Sequence, residues 1–186
     1  LDACPTGALV GPGELHSPSC ISFLTQTKGN LDDDQKEAIG NRLYGCDTCQ
    51  IVCPHNRGKN WTRHPELAPD PETVKPLLKP LLKMSNREFR ERFGSSAAAW
   101  RGKKPIQRNA VIALGHFRDV SAVGDLARIL LEDPRPELRE SAAWALGRIG
   151  GGEAREAVRA ALERETEEPV REALLKAGQA MEEAVQ

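Results

Sequence analysis

The most restrictive feature of this sequence is the run from Cys46 to Pro54, in which three cysteines follow the order C-x2-C-x3-C-P. No cysteine occurs after this run, and the five cysteines of the chain are Cys4, Cys20, Cys46, Cys49 and Cys53. An odd number of cysteines clustered at C-x2-C spacing indicates metal ligation rather than a disulfide framework. Free thiols of this kind are typical of a reducing compartment, so a cytoplasmic protein is expected.

The spacing of this run matches the second half of the bacterial ferredoxin pattern C-x2-C-x2-C-x3-C-P. In that pattern the cysteines separated by two residues ligate one 4Fe–4S cluster, and the last cysteine, followed by proline, ligates the other cluster of a pair. The chain contains this ending twice, as Cys4-Pro5 and as Cys53-Pro54. The sequence therefore predicts an iron–sulfur segment that holds parts of two clusters.

Two sets of cluster ligands are compatible with the spacing. In the crossover set, Cys4, Cys20, Cys46 and Cys49 hold one cluster, and Cys53 serves a second cluster whose other cysteines precede the chain. In the alternative set, Cys20, Cys46, Cys49 and Cys53 hold a single cluster, and Cys4 is left over. The proline that follows both Cys4 and Cys53 favours the crossover set. A four-cysteine zinc site is a third possibility, although such sites usually contain two C-x2-C pairs and this chain has one.

The second half of the chain repeats itself at an interval of 32 residues. Ile106 to Phe117 reads IQRNAVIALGHF, Leu138 to Ile149 reads LRESAAWALGRI, and a weaker copy, VREALLKAGQAM, begins at Val170. Alanine-rich, apolar helices are predicted before the second and third copies, at about 122–131 and 153–164. A helix pair that recurs at such an interval indicates an α-solenoid of the HEAT type.

The chain is thus predicted to be mostly α-helical and to have three parts. Residues 1–60 would form a ferredoxin-like 4Fe–4S segment, residues 61–103 a basic linker with a helix, and residues 104–186 the HEAT-like repeats. Two shorter helical stretches have recognisable starts. One lies over about 77–93, with a capping box that begins at Ser85, and the other over about 32–42, with Asn30 or Asp32 as its N-cap.

Charge is strongly segregated along the chain, although the net charge is only −1. Residues 75–118 contain eleven basic and two acidic residues, a net charge of +9, and both flanking regions are acidic. The densest basic run lies beside Trp100, and cations next to an aromatic ring are a common means of binding RNA. The alternative is that these basic residues form the solvated face of a helix. The residues predicted to contact RNA are Arg101, Lys103, Lys104 and Arg108.

Several motifs, taken together, resemble the epoxyqueuosine reductase family. They are Cys4-Pro-Thr-Gly-Ala8, Cys20-Ile-Ser-Phe-Leu24 and Ile39-Gly-Asn-Arg-Leu-Tyr-Gly-Cys-Asp-Thr-Cys-Gln-Ile-Val-Cys-Pro54, followed by Arg108-Asn-Ala and the HEAT-like tail. The resemblance extends through essentially all 186 residues. It implies a cobalamin-dependent enzyme with two 4Fe–4S clusters that reduces epoxyqueuosine to queuosine at the wobble position of tRNA. It also implies that the helical repeats help to bind the anticodon stem-loop.

The same resemblance implies the crossover ligand set, in which Cys53 serves the second cluster. It further implies that the chain is a C-terminal part of the enzyme, because the family's N-terminal region holds most of the cobalamin site, the catalytic acid and the first cysteine triplet. No catalytic residue is therefore assigned, and the chain alone is not expected to reduce epoxyqueuosine. His55, which directly follows Cys53-Pro54, is a candidate cofactor contact.

The expected partners are tRNA, through its anticodon stem-loop, and an external electron donor. A monomer is expected, and no membrane association, because no apolar run approaches the ~20 residues of a membrane span. Two other functions stay open. One is the iron–sulfur module of another cobalamin-dependent enzyme, such as a reductive dehalogenase, and the other is a non-enzymatic HEAT-type adaptor with a structural zinc ion.

Overall fold

A computed structural model of the chain describes residues 1–59, 64–68 and 70–184. The described part is mostly α-helical, as predicted. The predicted domain boundary between residues 60 and 61 lies outside the described residues. Within the described ranges, no helix is both long and apolar enough to cross a membrane. The helices are α1 Ile21–Leu24, α2 Asp33–Ile39, α3 Thr48–Ile51, α4 Pro71–Val74, α5 Leu78–Lys83, α6 Asn86–Phe93, α7 Lys103–Phe117, α8 Val123–Glu132, α9 Pro136–Ile149, α10 Gly152–Leu162 and α11 Glu168–Glu183.

The first segment contains a small antiparallel sheet that the sequence analysis did not predict. Strand β1, Leu9–Gly11, pairs with strand β2, Glu14–Leu15, and the turn between them places Gly13 at φ +77°. Strands of three and two residues are too short to show the alternating pattern that identifies a strand in a sequence. The segment nevertheless has its own small core, in which buried side chains of α1, of α2 and of the loop between them meet a residue of α7. These side chains are Ile21, Leu24, Leu31, Ile39 and Ile112.

Helix α2 begins at a capping box, as the predicted N-cap implies. The side chain of Asp32 accepts a hydrogen bond from the backbone N–H of Gln35 at 2.8 Å, and the Asp32 N–H donates to the Gln35 side chain at 3.1 Å. The capping box predicted at Ser85 is also present, at the start of α6. It divides the helical stretch predicted over 77–93 into α5 and α6, because Met84 and Ser85 have extended backbones.

The HEAT-like repeats predicted from the 32-residue interval are confirmed. Helices α7, α9 and α11 pack side by side in one layer, with α9 in contact with both neighbours. Helices α8 and α10 form the second layer and pack against each other and against the first layer, and α5 packs against α7. The buried side chains between the layers form one continuous apolar core that extends from Leu81 to Met181.

Glycine allows close contact between successive helices of the first layer. A Cβ atom on Gly115 of α7 would lie 2.9 Å from the Cα atom of Ala145 on α9. A Cβ atom on Gly147 of α9 would lie 2.9 Å from the Cα atom of Ala177 on α11, which repeats the same contact one unit later. The equivalent position in the third copy is Gln179, whose side chain is exposed.

A set of side-chain hydrogen bonds also recurs every 32 residues. One side chain near the start of each first-layer helix donates hydrogen bonds to carbonyl groups in or just after the last turn of an earlier helix, at 2.9–3.3 Å. These earlier helices are α5, α8 and α10. Carbonyls at the C-terminal end of a helix generally lack intrahelical partners, so bonds of this kind satisfy groups that would otherwise need water. The donors and acceptors are Gln107 to Leu81 and Leu82, Arg139 to Asp133, and Arg171 to Leu162 and Glu165.

Candidate functional site

The five cysteines lie in turns and short helices of the first segment. Cys20 is the residue before α1, Cys49 lies within α3, and Cys46 and Cys53 flank that helix on either side. All five are free thiols; Cys49 is exposed and the other four are partly buried. Thiols held by tight turns near a protein surface suit an iron–sulfur cluster, which must exchange electrons with a partner.

Threonine hydroxyl groups lie within hydrogen-bond distance of two of these sulfur atoms. The Cys4 Sγ atom lies 3.7 Å from the Thr6 hydroxyl, and the Cys46 Sγ atom lies 3.4 Å from the Thr48 hydroxyl. The backbone N–H of Thr6 is the largest influence on Cys4 and lowers the pKa of its thiol to about 7. Such donors favour the thiolate form, which is the form that ligates iron, and hydrogen bonds to sulfur also set a cluster's reduction potential.

Three of the four histidines already have a hydrogen-bond or ion-pair partner within the protein. His16 binds the Ser19 hydroxyl at 2.8 Å, His64 pairs with Glu66 at 2.9 Å, and Nε2 of His116 donates to the Lys36 carbonyl at 3.0 Å. The fourth, His55, is exposed in the turn after Cys53. The donor set of the first segment is therefore made of thiols, as an iron–sulfur cluster requires.

In the part of the chain that the structure describes, no three His, Cys, Asp or Glu side chains converge closely enough to bind one metal ion. A structural zinc ion needs four ligands at about 2.0–2.3 Å from a single point. A 4Fe–4S cube instead takes each thiolate at a separate corner, so its ligands do not need to meet at one point.

Two buried polar side chains of α7 join the repeats to the iron–sulfur segment. Arg108 is only 2% exposed, and its guanidinium donates to the carbonyls of Leu24, Thr27 and Gly29 at 2.8–3.1 Å. The adjacent Asn109 side chain is fully buried, accepts two further bonds from Arg108, and donates to two more carbonyls of the first segment. The sequence placed Arg108 among the RNA contacts, but all five of its N–H groups are used inside the protein, so none is left to donate a hydrogen bond to RNA.

Ion pairs form a second connection between the same two parts. Lys36 of α2 and Glu140 of α9 are both buried, and the ammonium group contacts the carboxylate. Burial raises the pKa of Glu140, although the neighbouring Lys36 opposes that change. On the protein surface, Lys176 of α11 pairs with Asp33 at 3.0 Å. The iron–sulfur segment is therefore fixed to the first-layer helices of the repeats.

The other residues predicted to bind RNA lie together at the start of α7. Arg101 is exposed, and its guanidinium lies 4.3 Å from the centre of the Trp100 ring, which is itself 73% exposed. Lys104 is also exposed, whereas Lys103 is partly buried and donates to the Met84 carbonyl at 2.8 Å. Burial lowers the pKa of Lys103.

Arg101, Lys103 and Lys104 line one cavity with a volume of about 400 Å³. Two further basic residues, Lys28 and Arg135, line the same cavity and were missed by the sequence analysis. They come from the first segment and from the loop before α9, so no local run of basic residues identifies them. The cavity is thus basic on three sides.

Comparisons with known proteins agree with these features. Residues 1–56 match the family of 4Fe–4S double cluster binding domains, and residues 96–177 match the HEAT repeats. The chain is 61% identical to an epoxyqueuosine reductase of Bacillus subtilis over 168 residues, which cover 90% of this chain and 44% of that protein. It is also 57% identical to an uncharacterised protein of Geobacillus stearothermophilus over 176 residues, which cover 95% of this chain and 82% of that protein.

A solved structure gives the same result. The crystal structure of an epoxyqueuosine reductase with an epoxyqueuosine-modified tRNA-Tyr stem loop matches this chain with a TM-score of 0.94 and 57% identity. The match covers 98% of this chain and 48% of that chain. The chain thus spans less than half the length of the named relatives that it matches. Over that span, which includes both the double-cluster domain and the helical repeats, it is homologous to the epoxyqueuosine reductases.

Proposed function

We propose that this chain is the electron-transfer and RNA-holding part of an enzyme that reduces epoxyqueuosine to queuosine at the wobble position of tRNA. The observation that carries the proposal is the match, over 98% of the chain, to a reductase crystallised with an epoxyqueuosine-modified stem loop. The match to the double-cluster family over residues 1–56 also supports it. Both favour this function over the module of another cobalamin-dependent reductase and over a zinc-containing adaptor.

In this proposal, the cysteines hold two 4Fe–4S clusters in the crossover arrangement. One cluster would have Cys4, Cys20, Cys46 and Cys49 as its ligands, and Cys53 would ligate the second. Two observations support the thiolate role: the low pKa of Cys4, and the threonine hydroxyl beside each of Cys4 and Cys46. The residues of this chain would hold the clusters, orient them and tune their potentials through such hydrogen bonds.

The proposed cofactors also include cobalamin, as the family resemblance implies. When bound, cobalamin would supply the chemistry that removes the epoxide oxygen, and the clusters would supply single electrons. His55 is exposed directly after Cys53 and stays a candidate contact to this cofactor. An external donor would reduce the clusters, and we propose that the protein works as a cytoplasmic monomer.

The basic start of the repeats is the proposed RNA surface. Arg101 and Lys104 are exposed beside Trp100, so their charges are available to RNA phosphates and the ring is available to a base. Lys103, whose ammonium already binds the Met84 carbonyl, would contribute mainly through its charge. The proposed partner is the anticodon stem-loop of tRNA.

Complementation tests this proposal. A bacterial strain without its own epoxyqueuosine reductase is expected to accumulate epoxyqueuosine in tRNA, which can be measured by mass spectrometry of digested nucleosides. The complete gene that contains this chain should restore queuosine, and the Cys46→Ser version should not, because it loses a cluster ligand. The version with Arg159→Ala, an exposed residue of α10, serves as the control and should restore queuosine.

Two results would contradict the proposal. One is unchanged epoxyqueuosine in a strain that contains the folded, cluster-loaded native protein. The other is stoichiometric zinc without iron in protein purified anaerobically, which would favour the adaptor function. Iron and sulfide in equal amounts would instead agree with bound clusters.

A further inference from the structure

The cavity at the start of α7 is formed jointly by the iron–sulfur segment and the repeats. Its walls come from the loop after α1, the residues around the first turn of α7 and the first turn of α9, and its volume is about 400 Å³. A cavity of this size has room for a phosphate group together with part of the attached sugar. The chemistry of its walls indicates which kind of ligand it fits.

Positive charge dominates the walls. Glu137 is the one carboxylate among the lining residues, and Asp133, which lies outside the lining, pairs with Arg135 at 2.7 Å. Cations therefore outnumber these two carboxylates by six to two, which gives the cavity a strong preference for an anion. The six basic lining residues are Lys28, Arg101, Lys103, Lys104, Arg108 and Arg135.

Because the charge of Arg108 is buried, the excess of positive charge in the cavity is unfavourable when no anion is bound. Its guanidinium is 2% exposed, and all its hydrogen bonds go to backbone carbonyls and to the Asn109 amide oxygen. None of the ion pairs among the described residues includes Arg108, so its charge has no directly bonded carboxylate. Burial of this charge lowers the pKa of Arg108 to about 10. The carboxylates of Glu140 and Glu137 oppose this change only in part, so an anion in the cavity would add to their effect.

Backbone N–H groups also favour an anion in the cavity. The first turns of α7 and α9 both border the cavity, and neither helix has a side chain that caps its N-terminus. The free N–H groups of a helix N-terminus attract anions. Helix α9 contributes less to this effect than α7, because Pro136 has no N–H and the Leu138 N–H already donates to the Arg135 carbonyl at 3.1 Å. The residue before α7 is Gly102, at φ +82°, and a Cβ atom there would meet nothing within 4 Å. The backbone is thus open to a ligand at this point.

We propose that this cavity is a phosphate pocket that receives one backbone phosphate of the tRNA stem-loop. The pocket includes Lys28 and Arg135, so the RNA is held by the iron–sulfur segment and by the repeats at the same time. A nucleic-acid phosphate is favoured over a free phosphate ion because Trp100, 73% exposed, lies directly beside Arg101 and offers a surface for a base. This inference rests on the proposed function.

A phosphate scan tests the pocket. Stem-loops in which one phosphate at a time is replaced by a neutral methylphosphonate are titrated against the complete, cluster-loaded protein. The same series is titrated against the double variant Lys28→Ala and Lys104→Ala, in which two exposed cations of the pocket are removed. The control double variant, Arg159→Ala and Arg164→Ala, removes two exposed cations of α10 and its C-terminal end, outside the pocket.

The pocket predicts that one methylphosphonate weakens binding to the native protein and to the control about tenfold but has no effect on the pocket variant. The pocket variant should bind the unmodified stem-loop about tenfold more weakly than the native protein. For the pocket variant, the slope of log K against log salt should be less steep by roughly 0.7–0.9, which corresponds to one lost phosphate contact. Thermal unfolding and cluster absorbance report whether the variant is folded.

The pocket is disproved if every methylphosphonate has the same effect on the native protein and on the pocket variant. Inorganic phosphate could instead stabilise the native protein against thermal unfolding while the two proteins bind RNA equally well. That result would assign the cavity to a free anion and would also overturn the proposal. Failure of the proposed function looks different: the native protein would then not bind the unmodified stem-loop at all.

Discussion

Lys36 carries a charge into the interior between the iron–sulfur segment and the repeats. Its side chain is 1% exposed and that of its partner Glu140 is 8% exposed, so neither charge is well solvated. A buried pair of this kind is weak evidence for net stability, but removal of one partner leaves the other charge buried alone. The pair therefore makes a clear prediction about single substitutions.

The substitution Lys36→Met is expected to lower the free energy of unfolding by about 3–5 kcal/mol, because it leaves Glu140 unpaired. The control Lys176→Met removes a lysine from an exposed pair with Asp33 and should cost about 1 kcal/mol or less. Urea titrations of the two variants and the native protein measure both values. Similar costs for the two variants would show that the buried pair has no special importance.

The cost of Lys36→Met should also depend on pH. Burial already raises the pKa of Glu140 in the folded protein, and loss of the ammonium group would raise it further. A carboxyl whose pKa is higher in the folded state than in the unfolded state gives stability that is lost as the pH rises through the folded value. The variant should therefore be destabilised less at about pH 5 than at about pH 8. An equal cost at both values would contradict the linkage to Glu140.

Arg108 illustrates what single residues in a sequence cannot reveal. It lies four residues after Lys104 in the most basic part of the chain, so composition placed it with the RNA contacts. Its actual partners are carbonyls of Leu24, Thr27 and Gly29, which are far away in the sequence and which leave no mark in side-chain composition. By contrast, the N-caps Asp32 and Ser85 were predictable, because capping depends on residues only three positions apart.

At the scale of elements, the repeats were predictable because the same packing problem recurs every 32 residues. Each first-layer helix needs small residues where the next helix crosses it, and Gly115 and Gly147 supply them. The hairpin of β1 and β2 was not predictable, since its strands are too short for a periodic pattern. The division between α5 and α6 was signalled by the capping box at Ser85, which marks a helix start inside the helical stretch.

Glycine-to-alanine substitutions test the stacking of the helices. Gly115→Ala and Gly147→Ala would each place a methyl group 2.9 Å from a Cα atom of the next helix, so each should lower the free energy of unfolding by about 1–3 kcal/mol. Gly178→Ala is the matched control in α11, where a Cβ atom would meet nothing within 4 Å. Alanine there should raise stability by about 0.5–1 kcal/mol, because glycine is a poor helix former.

Thermal or urea unfolding of the three variants measures these changes in stability. We expect a loss of stability for Gly115→Ala and Gly147→Ala and a gain of stability for Gly178→Ala. A gain at Gly115 or Gly147 would mean that adjacent helices can separate without cost, and close stacking would then not be what the repeats require.

At the scale of the whole molecule, the division into three parts predicted from the sequence is crossed by many contacts. Side chains of α7 and α9 bind the backbone and the charged groups of the first segment, through Arg108, Asn109 and Glu140. Such contacts between distant parts of a chain follow from the tertiary fold and have no local pattern. The run from Cys46 to Pro54, in contrast, was informative because C-x2-C-x3-C-P is itself a local pattern.

The cysteine assignment is testable on the 186-residue chain itself. In the crossover arrangement this chain holds one complete cluster, so Cys53→Ser should keep about four irons per chain after anaerobic reconstitution, and Cys4→Ser should lose them. The single-cluster alternative predicts the opposite pair of results. Iron and sulfide analysis, with electron paramagnetic resonance of the reduced samples, distinguishes the two arrangements. Loss of iron from Cys53→Ser alone would reject the crossover set.

The joint made by Arg108 and Asn109 contacts only main-chain atoms of the first segment: the carbonyls of Leu24, Thr25, Thr27, Gly29 and Leu43. Main-chain carbonyls are the same whatever side chain a residue has. Surface positions of the first segment can therefore change during evolution without a compensating change in α7, whereas Arg108 and Asn109 have no such freedom. Among relatives, we expect this arginine–asparagine pair to persist while the side chain at position 27 drifts.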